Sequence, residues 1–249
     1  NHEIIHKSDI GLILDKGYRI GKQAKVVDVK TSNIHEIIHA PFYRQDHFQN
    51  HYHELKLTFK NGFGVTFRVF NEGFAYRFFY TKKKQIIIDN EIANYNFGKD
   101  KETWLPYTTN EKAPFAMAFQ NIYDHTAIGK AEKKIAFLPA TVNCGNAKVT
   151  ILESDLVSYP GMFIIADGDY LKGVFAKYPK KMEYYPWRHM SHVTETNSYI
   201  AASTSASNYP WRVFAITEAD TQMPVNNLVY ALARPNKIGN TEWIRPGKV

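Results

Sequence analysis

The sequence predicts an all-β fold, a large antiparallel β-sandwich with few or no helices, on three observations. Tyr and Phe number 16 each among the 249 residues, and aromatic side chains favour pleated, half-buried surfaces. Short segments of alternating polarity are separated by Gly, Pro, Asn or Asp. Long amphipathic helical patterns are absent. Because one sheet of so many strands would leave an apolar face in water, we expect two stacked sheets.

The clearest predicted elements are three consecutive strands in the first third of the chain. Segment 54–60 alternates between polar and apolar side chains, which is typical of a half-buried strand. Asn61-Gly62 follows, a dipeptide that tolerates positive φ and suits a tight hairpin, and 65–69 resumes the alternation. A second turn signal at 71–73 precedes the aromatic segment 74–80. The sequence therefore predicts a three-stranded antiparallel meander.

The rest of the chain shows the same pattern of short apolar segments separated by turn residues. Six further segments are predicted strands: 148–152, 162–165, 171–176, 199–203, 211–216 and 227–233. No fixed-period repeat, low-complexity segment or Pro/Ser-rich linker marks an internal boundary. We therefore expect residues 1–249 to form a single β-sandwich domain.

The charge of the chain raises nucleic acid as a partner. The formal net charge is +7 and the pI is about 9.2. The lysines nevertheless occur in short, widely separated clusters at 82–84, 133–134 and 180–181, next to predicted strands. This distribution is typical of solvated loop ends, so we expect no nucleic-acid partner.

Two further observations concern the membrane and the cysteine content. No apolar run approaches the roughly 20 residues that span a bilayer, so no membrane span is expected. The single cysteine, Cys144, excludes an internal disulfide. Its neighbours Asn143 and Gly145 predict a turn rather than the setting of a nucleophile.

Histidines occur in patterns that resemble metal sites. Segments 2–6 and 35–39 both match H-E-x-x-H, which holds zinc when it lies on a helix. The paired isoleucines of both copies favour strand, so a zinc protease is not expected. His47, His51 and His53 form a local cluster, with His51 and His53 on one face of a strand. A metal site and a set of surface histidines are both open, and the latter is favoured.

Two pairs of carboxylates are spaced by two residues. They are Glu153 with Asp155, and Glu218 with Asp220. Glycoside hydrolysis generally needs two carboxyl groups held across the scissile bond, and this spacing would project both members of a pair from one side of an extended segment. Solvated strand ends explain the pattern equally well.

The carboxyl-terminal part of the chain contains three motifs in order: Asn-Tyr-Pro-Trp-Arg-Val-Phe at 208–214, Asn-Leu-Val-Tyr-Ala-Leu at 227–232 and Trp-Ile-Arg-Pro-Gly-Lys-Val at 243–249. Earlier segments belong to the same set: 8–12, 52–55, 67–77 and 153–162. Together they resemble the amino-terminal domain of glycoside hydrolase family 97. The resemblance covers nearly the whole chain.

This resemblance implies a galactose-mutarotase-like β-super-sandwich, with a catalytic (β/α)₈ barrel and a small β domain following residue 249. The family includes inverting α-glucosidases and retaining α-galactosidases of Bacteroides-type bacteria, generally periplasmic. The implied parent is a calcium-dependent, exo-acting enzyme whose substrate is an oligosaccharide or polysaccharide. The barrel of the same protein is the implied partner, and no catalytic residue is assigned to this chain.

The resemblance also implies a calcium site. The barrel would supply most of its ligands, and one glutamate would come from the sandwich, in the segment that 150–156 matches. This role is carried onto Glu153 as the predicted metal ligand. The family usually has Ala after this glutamate, whereas this chain has Ser154. An exposed glutamate at a strand end is the structural alternative.

Trp211 and Arg212 allow two interpretations, a sugar-binding platform or core packing. The alternation places Trp211, Val213 and Ala215 on one face, which favours a buried strand. At the level of function, the alternative to a supporting domain of a glycosidase is a non-catalytic carbohydrate-binding β-sandwich. The presence of the barrel in the parent protein decides between them, because sandwiches host unrelated functions.

Overall fold

The structure is a computed structural model that describes residues 3–40, 42–116, 119–204, 206–245 and 247. The described residues form 18 strands and little helix. The strands are β1 Asp9–Leu14, β2 Tyr18–Ile20, β3 Val26–His39, β4 His47–Phe59, β5 Phe63–Phe70, β6 Gly73–Tyr80, β7 Ile86–Asn96, β8 Glu102–Leu105, β9 Asp124–Ala127, β10 Ala140–Asn143, β11 Lys148–Ser154, β12 Met162–Asp167, β13 Tyr170–Phe175, β14 Pro179–Tyr185, β15 Met190–Thr196, β16 Ala201–Ser203, β17 Ser207–Asn208 and β18 Trp211–Thr217. One α-helix, α1, spans Leu228–Ala231, and single 3₁₀ turns occupy Asp15–Gly17, Ile128–Lys130, Pro186–Arg188 and Asp220–Gln222.

The strands assemble into three antiparallel sheets. The larger sheet has ten strands, in the order β3-β4-β5-β6-β18-β11-β10-β8-β9, with β17 paired to β6. The smaller sheet has six strands, in the order β12-β13-β7-β1-β2, with β16 paired to β7. β14 and β15 form a separate two-stranded hairpin. This arrangement confirms the predicted all-β sandwich.

The core lies between the larger and smaller sheets. Leu12 and Ile88 from the smaller sheet, and Ile151 and Phe214 from the larger, are at most 1% exposed and belong to one apolar cluster. Burial of each such side chain contributes roughly 1.5–3 kcal/mol. Apolar contact is therefore the main attraction between the two sheets.

The opposite face of the larger sheet is also covered. Ala75, Trp211 and Val213 pack against Leu228 and Leu232, which lie in and just after α1. β18 is consequently buried on both faces, which explains its almost continuous apolar sequence.

Most predicted elements are confirmed. β4, β5 and β6 are consecutive neighbours in the larger sheet and form the predicted meander, with Gly62 at a φ of 89° in the first turn. The predicted strands at 148–152, 162–165, 171–176, 199–203 and 211–216 coincide with β11, β12, β13, β16 and β18. The lysine clusters 82–84 and 133–134 lie outside the strands.

Two predictions are wrong. Segment 227–233 contains α1 rather than a strand: Leu228 and Leu232 are four residues apart, a spacing that aligns side chains on a helical turn as well as on a strand. Lys180 and Lys181 lie inside β14 rather than in a loop. This strand accommodates charged side chains because every one of its residues is exposed. Within the described part of the chain, no helix is long and apolar enough to cross a bilayer.

The fold yields a prediction at Gly73, which begins β6 with a φ of 141°. A Cβ at this position would overlap the backbone carbonyl oxygen of Phe214 in the neighbouring β18. We expect Gly73→Ala to lower the free energy of unfolding by about 3 kcal/mol, measured by urea denaturation. Gly145→Ala is the matched control: its φ is 96° and an added Cβ meets no atom within 4 Å. A similar loss in both variants would contradict the steric explanation.

Candidate functional site

Adjacent residues of β18 point to opposite faces of the larger sheet. Trp211 lies on the outer face with Val213 and Ala215, which confirms the predicted alternation and the core-packing interpretation. Arg212 points between the two sheets and is 1% exposed. A buried guanidinium costs several kcal/mol unless anionic groups hold it, so its partners define the polar part of the interior.

Glu91 of β7 is the main partner of Arg212 and is 3% exposed. Its Oε1 accepts a hydrogen bond from Nε of Arg212 at 2.8 Å, and its Oε2 accepts one from Nη2 at 2.7 Å. This two-point geometry matches the planar guanidinium fork. The hydroxyl of Tyr159 donates a further bond of 3.0 Å to Oε2. Because Glu91 belongs to the smaller sheet and Arg212 to the larger, the pair joins the two.

Glu153, the predicted metal ligand, lies directly opposite Arg212 in the pairing of β11 with β18. Its Oε2 accepts hydrogen bonds from Nη1 of Arg212 at 2.8 Å and from the backbone N–H of Met162 at 3.0 Å. The side chain is 18% exposed. It is therefore not the solvated strand-end glutamate of the structural alternative.

The other oxygen of Glu153, Oε1, has a different environment. No described residue donates a hydrogen bond to it. Gly161 lies beside it, and a Cβ at that position would stand 3.1 Å from Oε1. Any larger residue at position 161 would therefore crowd this oxygen.

Burial and charge perturb the ionisation of this cluster. Desolvation raises the pKa of Glu153 above its ordinary value, and Arg212 with the Met162 N–H offsets this only in part. Burial alone would lower the pKa of Arg212, but Glu91 and then Glu153 outweigh it and raise that pKa well above the usual range. Burial followed by the Glu91 charge raises the pKa of the Tyr159 hydroxyl. The hydroxyl therefore stays protonated and continues to donate.

The charges of the cluster do not balance. Arg212 forms ion pairs with both Glu91 and Glu153, and no other cation among the described residues pairs with either carboxylate. One negative charge remains in excess in a largely buried place. Burial is the main cause of the raised pKa of Glu153, and the charge of Glu91 raises it further.

Asp155 does not share this environment, contrary to the expected projection of Glu153 and Asp155 from one side. Asp155 has a left-handed φ of 56°, which breaks the strand alternation after β11. Its carboxylate pairs with Arg77 at 3.1 Å and with Arg234 at 2.7 Å. Arg77 in turn stacks on Trp211, at 4.4 Å from the ring centroid, on the outer face of the sheet. The two carboxylates therefore serve opposite faces.

The remaining predicted candidates lie elsewhere. The second H-E-x-x-H segment is part of β3, which confirms that it forms no helical zinc site, and His2 of the first lies outside the described residues. Cys144 lies between β10 and β11, and burial raises the pKa of its thiol, as expected of an unreactive cysteine. Asp220 pairs with Lys148 at the surface. Nowhere in the described ranges do three His, Cys, Asp or Glu side chains form a ready metal-binding group.

Glu91 and Tyr159 are the residues that sequence reasoning missed. Glu91 ends the polar run Asp89-Asn90-Glu91, which stands between Ile86–Ile88 and Ile92-Ala93, so charged residues interrupt an otherwise apolar segment. A buried charge in such a strand requires a partner, and that was the available signal. The sequence does not reveal which residue is that partner, because Arg212 lies 121 positions from Glu91 and only the tertiary fold brings the two together.

Fold and site together define the class: a two-sheet β-sandwich domain with a carboxylate–guanidinium cluster buried between its sheets. The family model described as Glycosyl-hydrolase 97 N-terminal matches residues 1–235. The chain therefore belongs to the glycosyl-hydrolase 97 N-terminal family.

Individual relatives agree with this assignment. A retaining alpha-galactosidase of Bacteroides thetaiotaomicron is 35% identical over 257 residues, which cover 99% of this chain and 39% of that protein. A Glycoside Hydrolase Family 97 enzyme from Pseudoalteromonas sp. strain K8, solved with acarbose, has a TM-score of 0.81 at 18% identity and covers 99% of this chain and 36% of its own. A beta-arabinopyranosidase has a TM-score of 0.68 at 16% identity, over 86% of this chain and 35% of its own. The two structural likenesses show the fold, and the chain spans less than two fifths of each relative's length.

The buried cluster yields a prediction for stability. We expect Glu91→Gln to lower the free energy of unfolding by about 3 kcal/mol, because Arg212 would lose its bidentate counter-ion inside the core. The measurement is urea denaturation at neutral pH. Glu183→Gln is the matched control, since Glu183 pairs with Lys181 on the exposed β14 strand and such pairs contribute about 0–1 kcal/mol. A loss at position 91 no larger than that at 183 would show that the buried pair does not stabilise the fold.

Proposed function

We propose that this chain is the amino-terminal domain of a calcium-dependent, exo-acting glycosidase that cleaves α-galactosidic or α-glucosidic bonds. In this function the domain packs on the catalytic barrel of the same protein and supplies Glu153 as one calcium ligand. The observation that carries the proposal is the excess negative charge at Glu153, whose Oε1 lies beside Gly161 and accepts no hydrogen bond from a described residue.

A cation at this position would relieve the electrostatic imbalance. Buried charges are usually paired or bound to a metal, and Arg212 is already shared between two carboxylates. An ion next to Oε1 would stabilise the charged form of Glu153 and so reverse the rise in its pKa that burial causes. Metal binding and domain stability are coupled in this arrangement.

The donor atom fits calcium. This ion takes six to eight oxygen ligands, at about 2.3–2.6 Å, and accepts carboxylates from separate elements. Since the described residues offer no three-residue metal group, the sandwich would contribute one ligand and the barrel the others. When bound, the ion would polarise a substrate oxygen and orient the sugar.

The residues of this chain orient the ligand rather than react. Arg212 and the Met162 N–H both bind Oε2 of Glu153, so the carboxylate has a fixed direction before any ion arrives. Glu91 fixes Arg212 in turn. A ligand held in this way would also align the sandwich with the barrel.

The relatives support the proposed substrate class, and the family resemblance supports the proposed compartment. The relative at 35% identity is a retaining alpha-galactosidase, which favours the α-galactosidic branch and an oligosaccharide or polysaccharide substrate. The family resemblance supports a periplasmic location for the parent protein. Osmotic-shock fractionation of the native host, with activity assays on each fraction, tests the compartment.

The central prediction concerns Glu153→Gln in the full-length parent, assayed on p-nitrophenyl α-galactoside and α-glucoside. At limiting calcium we expect hydrolysis to fall by about tenfold or more, because the amide carries no charge for the ion. Excess calcium should restore part of the activity. The substrate that is hydrolysed faster indicates whether the parent protein is an α-galactosidase or an α-glucosidase.

The control is Asp220→Asn, which removes one negative charge from an exposed carboxylate paired with Lys148. It should retain the calcium dependence of the wild type. Circular dichroism of both variants verifies folding. If Glu153→Gln leaves activity and calcium dependence unchanged, Glu153 is no ligand and this function is wrong.

Non-catalytic carbohydrate binding is a second candidate, favoured by the aromatic tip of the β14–β15 hairpin. Trp187 is 70% exposed and Tyr184 is 58% exposed. Exposed apolar groups of this size mark interaction sites, and flat rings suit the faces of sugars. If the chain is a binding module, the isolated chain should bind α-linked oligosaccharides in calorimetric titrations. Trp187→Ala should abolish this binding, whereas Phe119→Ala, which removes another exposed ring, is the control and should not. Absence of binding by the isolated chain would exclude this candidate.

A further inference from the structure

The long β3–β4 hairpin carries five of the ten histidines of the chain on one face. They are His35, His39, His47, His51 and His53. The opposite face of β4 is buried through Phe48, Asn50 and Tyr52. Antiparallel pairing places His35 directly across from His51, and His39 across from His47. The stripe therefore results from strand register, and the sequence spacing alone does not reveal it.

His35 and His51 form the closest pair in this stripe. Their ring centroids are 3.6 Å apart with an interplanar angle of 22°. His53 adds a third ring, centred 5.6 Å from that of His51. Because first-row metals bind imidazole nitrogen at about 2.0–2.1 Å, two rings this close can reach one ion after small rotations.

A neighbouring amide contacts the ring of His51. Oδ1 of Asn33 lies 3.1 Å from Nε2 of His51, and an amide oxygen can only accept. In the tautomer that is protonated on Nε2, His51 donates to Asn33 and keeps the lone pair of its neutral ring on Nδ1 for a metal ion. Hydrogen bonds of this kind orient metal-binding histidines.

Charge does not compete for this pair. Among the described residues, none forms an ion pair with His35, His51 or His53, whereas His47 lies 3.1 Å from the carboxylate of Asp46. The His39–His47 rings are also farther apart, at 4.5 Å, and more tilted, at 32°. His35 and His51 are thus the better placed of the two cross-strand pairs.

We propose that His35 and His51 form a binding site for a divalent first-row transition-metal ion, with His53 as the adjacent third donor. The described residues contain no preformed group of three metal ligands, so the site is a two-imidazole chelate that solvent completes. Imidazole suits copper, nickel and zinc, and affinity should be greatest for Cu²⁺. This site differs in chemistry and place from the oxygen of Glu153, and it stands independently of the proposed enzymatic function.

The test is a Cu²⁺ titration of the tag-free chain in a non-coordinating buffer, followed by calorimetry and electron paramagnetic resonance. We expect saturable binding with nitrogen hyperfine structure from imidazole. The double variant His35→Ala/His51→Ala should weaken the binding by about tenfold or more. The matched control, His39→Ala/His47→Ala, removes two histidines from the same face and should leave the affinity unchanged.

Three outcomes would overturn the proposal. The first is that the wild type shows no saturable Cu²⁺ binding, and the second is that the His35→Ala/His51→Ala variant binds Cu²⁺ as tightly as the wild type. The third is that the control variant loses as much affinity as the His35→Ala/His51→Ala variant. The last would show that the stripe as a whole, rather than this pair, attracts the ion. Circular dichroism verifies folding of the variants. His51→Gln, which retains a donor for Asn33, is the second variant if the alanine substitutions disturb the hairpin.

Discussion

Arg212 and Glu91 meet between two sheets that are held together mainly by apolar contact. Apolar side chains attract without direction, so they permit many relative positions of two twisted sheets. A bidentate ion pair has a defined geometry, and its buried members cannot separate without leaving charges unpaired. The pair therefore fixes how β18 lies over β7. A hydrogen bond of 2.9 Å between the hydroxyls of Tyr76 and Tyr95 is a second polar contact across the same interface.

The same pair makes Glu153 unusual. Had Arg212 served Glu153 alone, the two charges would balance and the site would be a simple buried ion pair. Because Glu91 takes two of the guanidinium bonds, Glu153 keeps only one bond to Arg212, and that bond does not outweigh the burial that raises the pKa of Glu153. The ion pair that stabilises the sandwich therefore also leaves an excess negative charge at Glu153. Ser154 next to it is also buried, and its hydroxyl donates to the carbonyl oxygen of Val229 on the outer face.

Two hairpins carry chemical groups that the core does not use. The β3–β4 hairpin presents imidazoles, and the β14–β15 hairpin presents exposed aromatic rings. The carboxylates of Glu91 and Glu153 lie between the sheets, whereas the histidines of the β3–β4 hairpin lie on one exposed face. The two proposed metal sites would therefore select a hard ion and a borderline ion respectively.

Sequence reasoning predicted the sandwich, the meander around Asn61-Gly62 and the buried face of Trp211 from local features. The metal-ligand role of Glu153 rests on the resemblance of 150–156 to a known family and stays a prediction. The three confirmed predictions share a cause: alternation and turn dipeptides are readable within a few residues. The failure at 227–233 has the same root, because a spacing of four satisfies both a helix and a strand.

The sequence by itself determined the strand content, the turns and which faces are apolar, since each follows from side chains that are neighbours in the chain. Tertiary structure decided that Glu91 and Arg212 meet, that Glu153 and Asp155 serve opposite faces, and that five histidines form one stripe. The positive φ of Asp155 and the register of β3 with β4 are set by packing and long-range pairing. Charge balance in the interior depends on those contacts, so no local pattern could have revealed it.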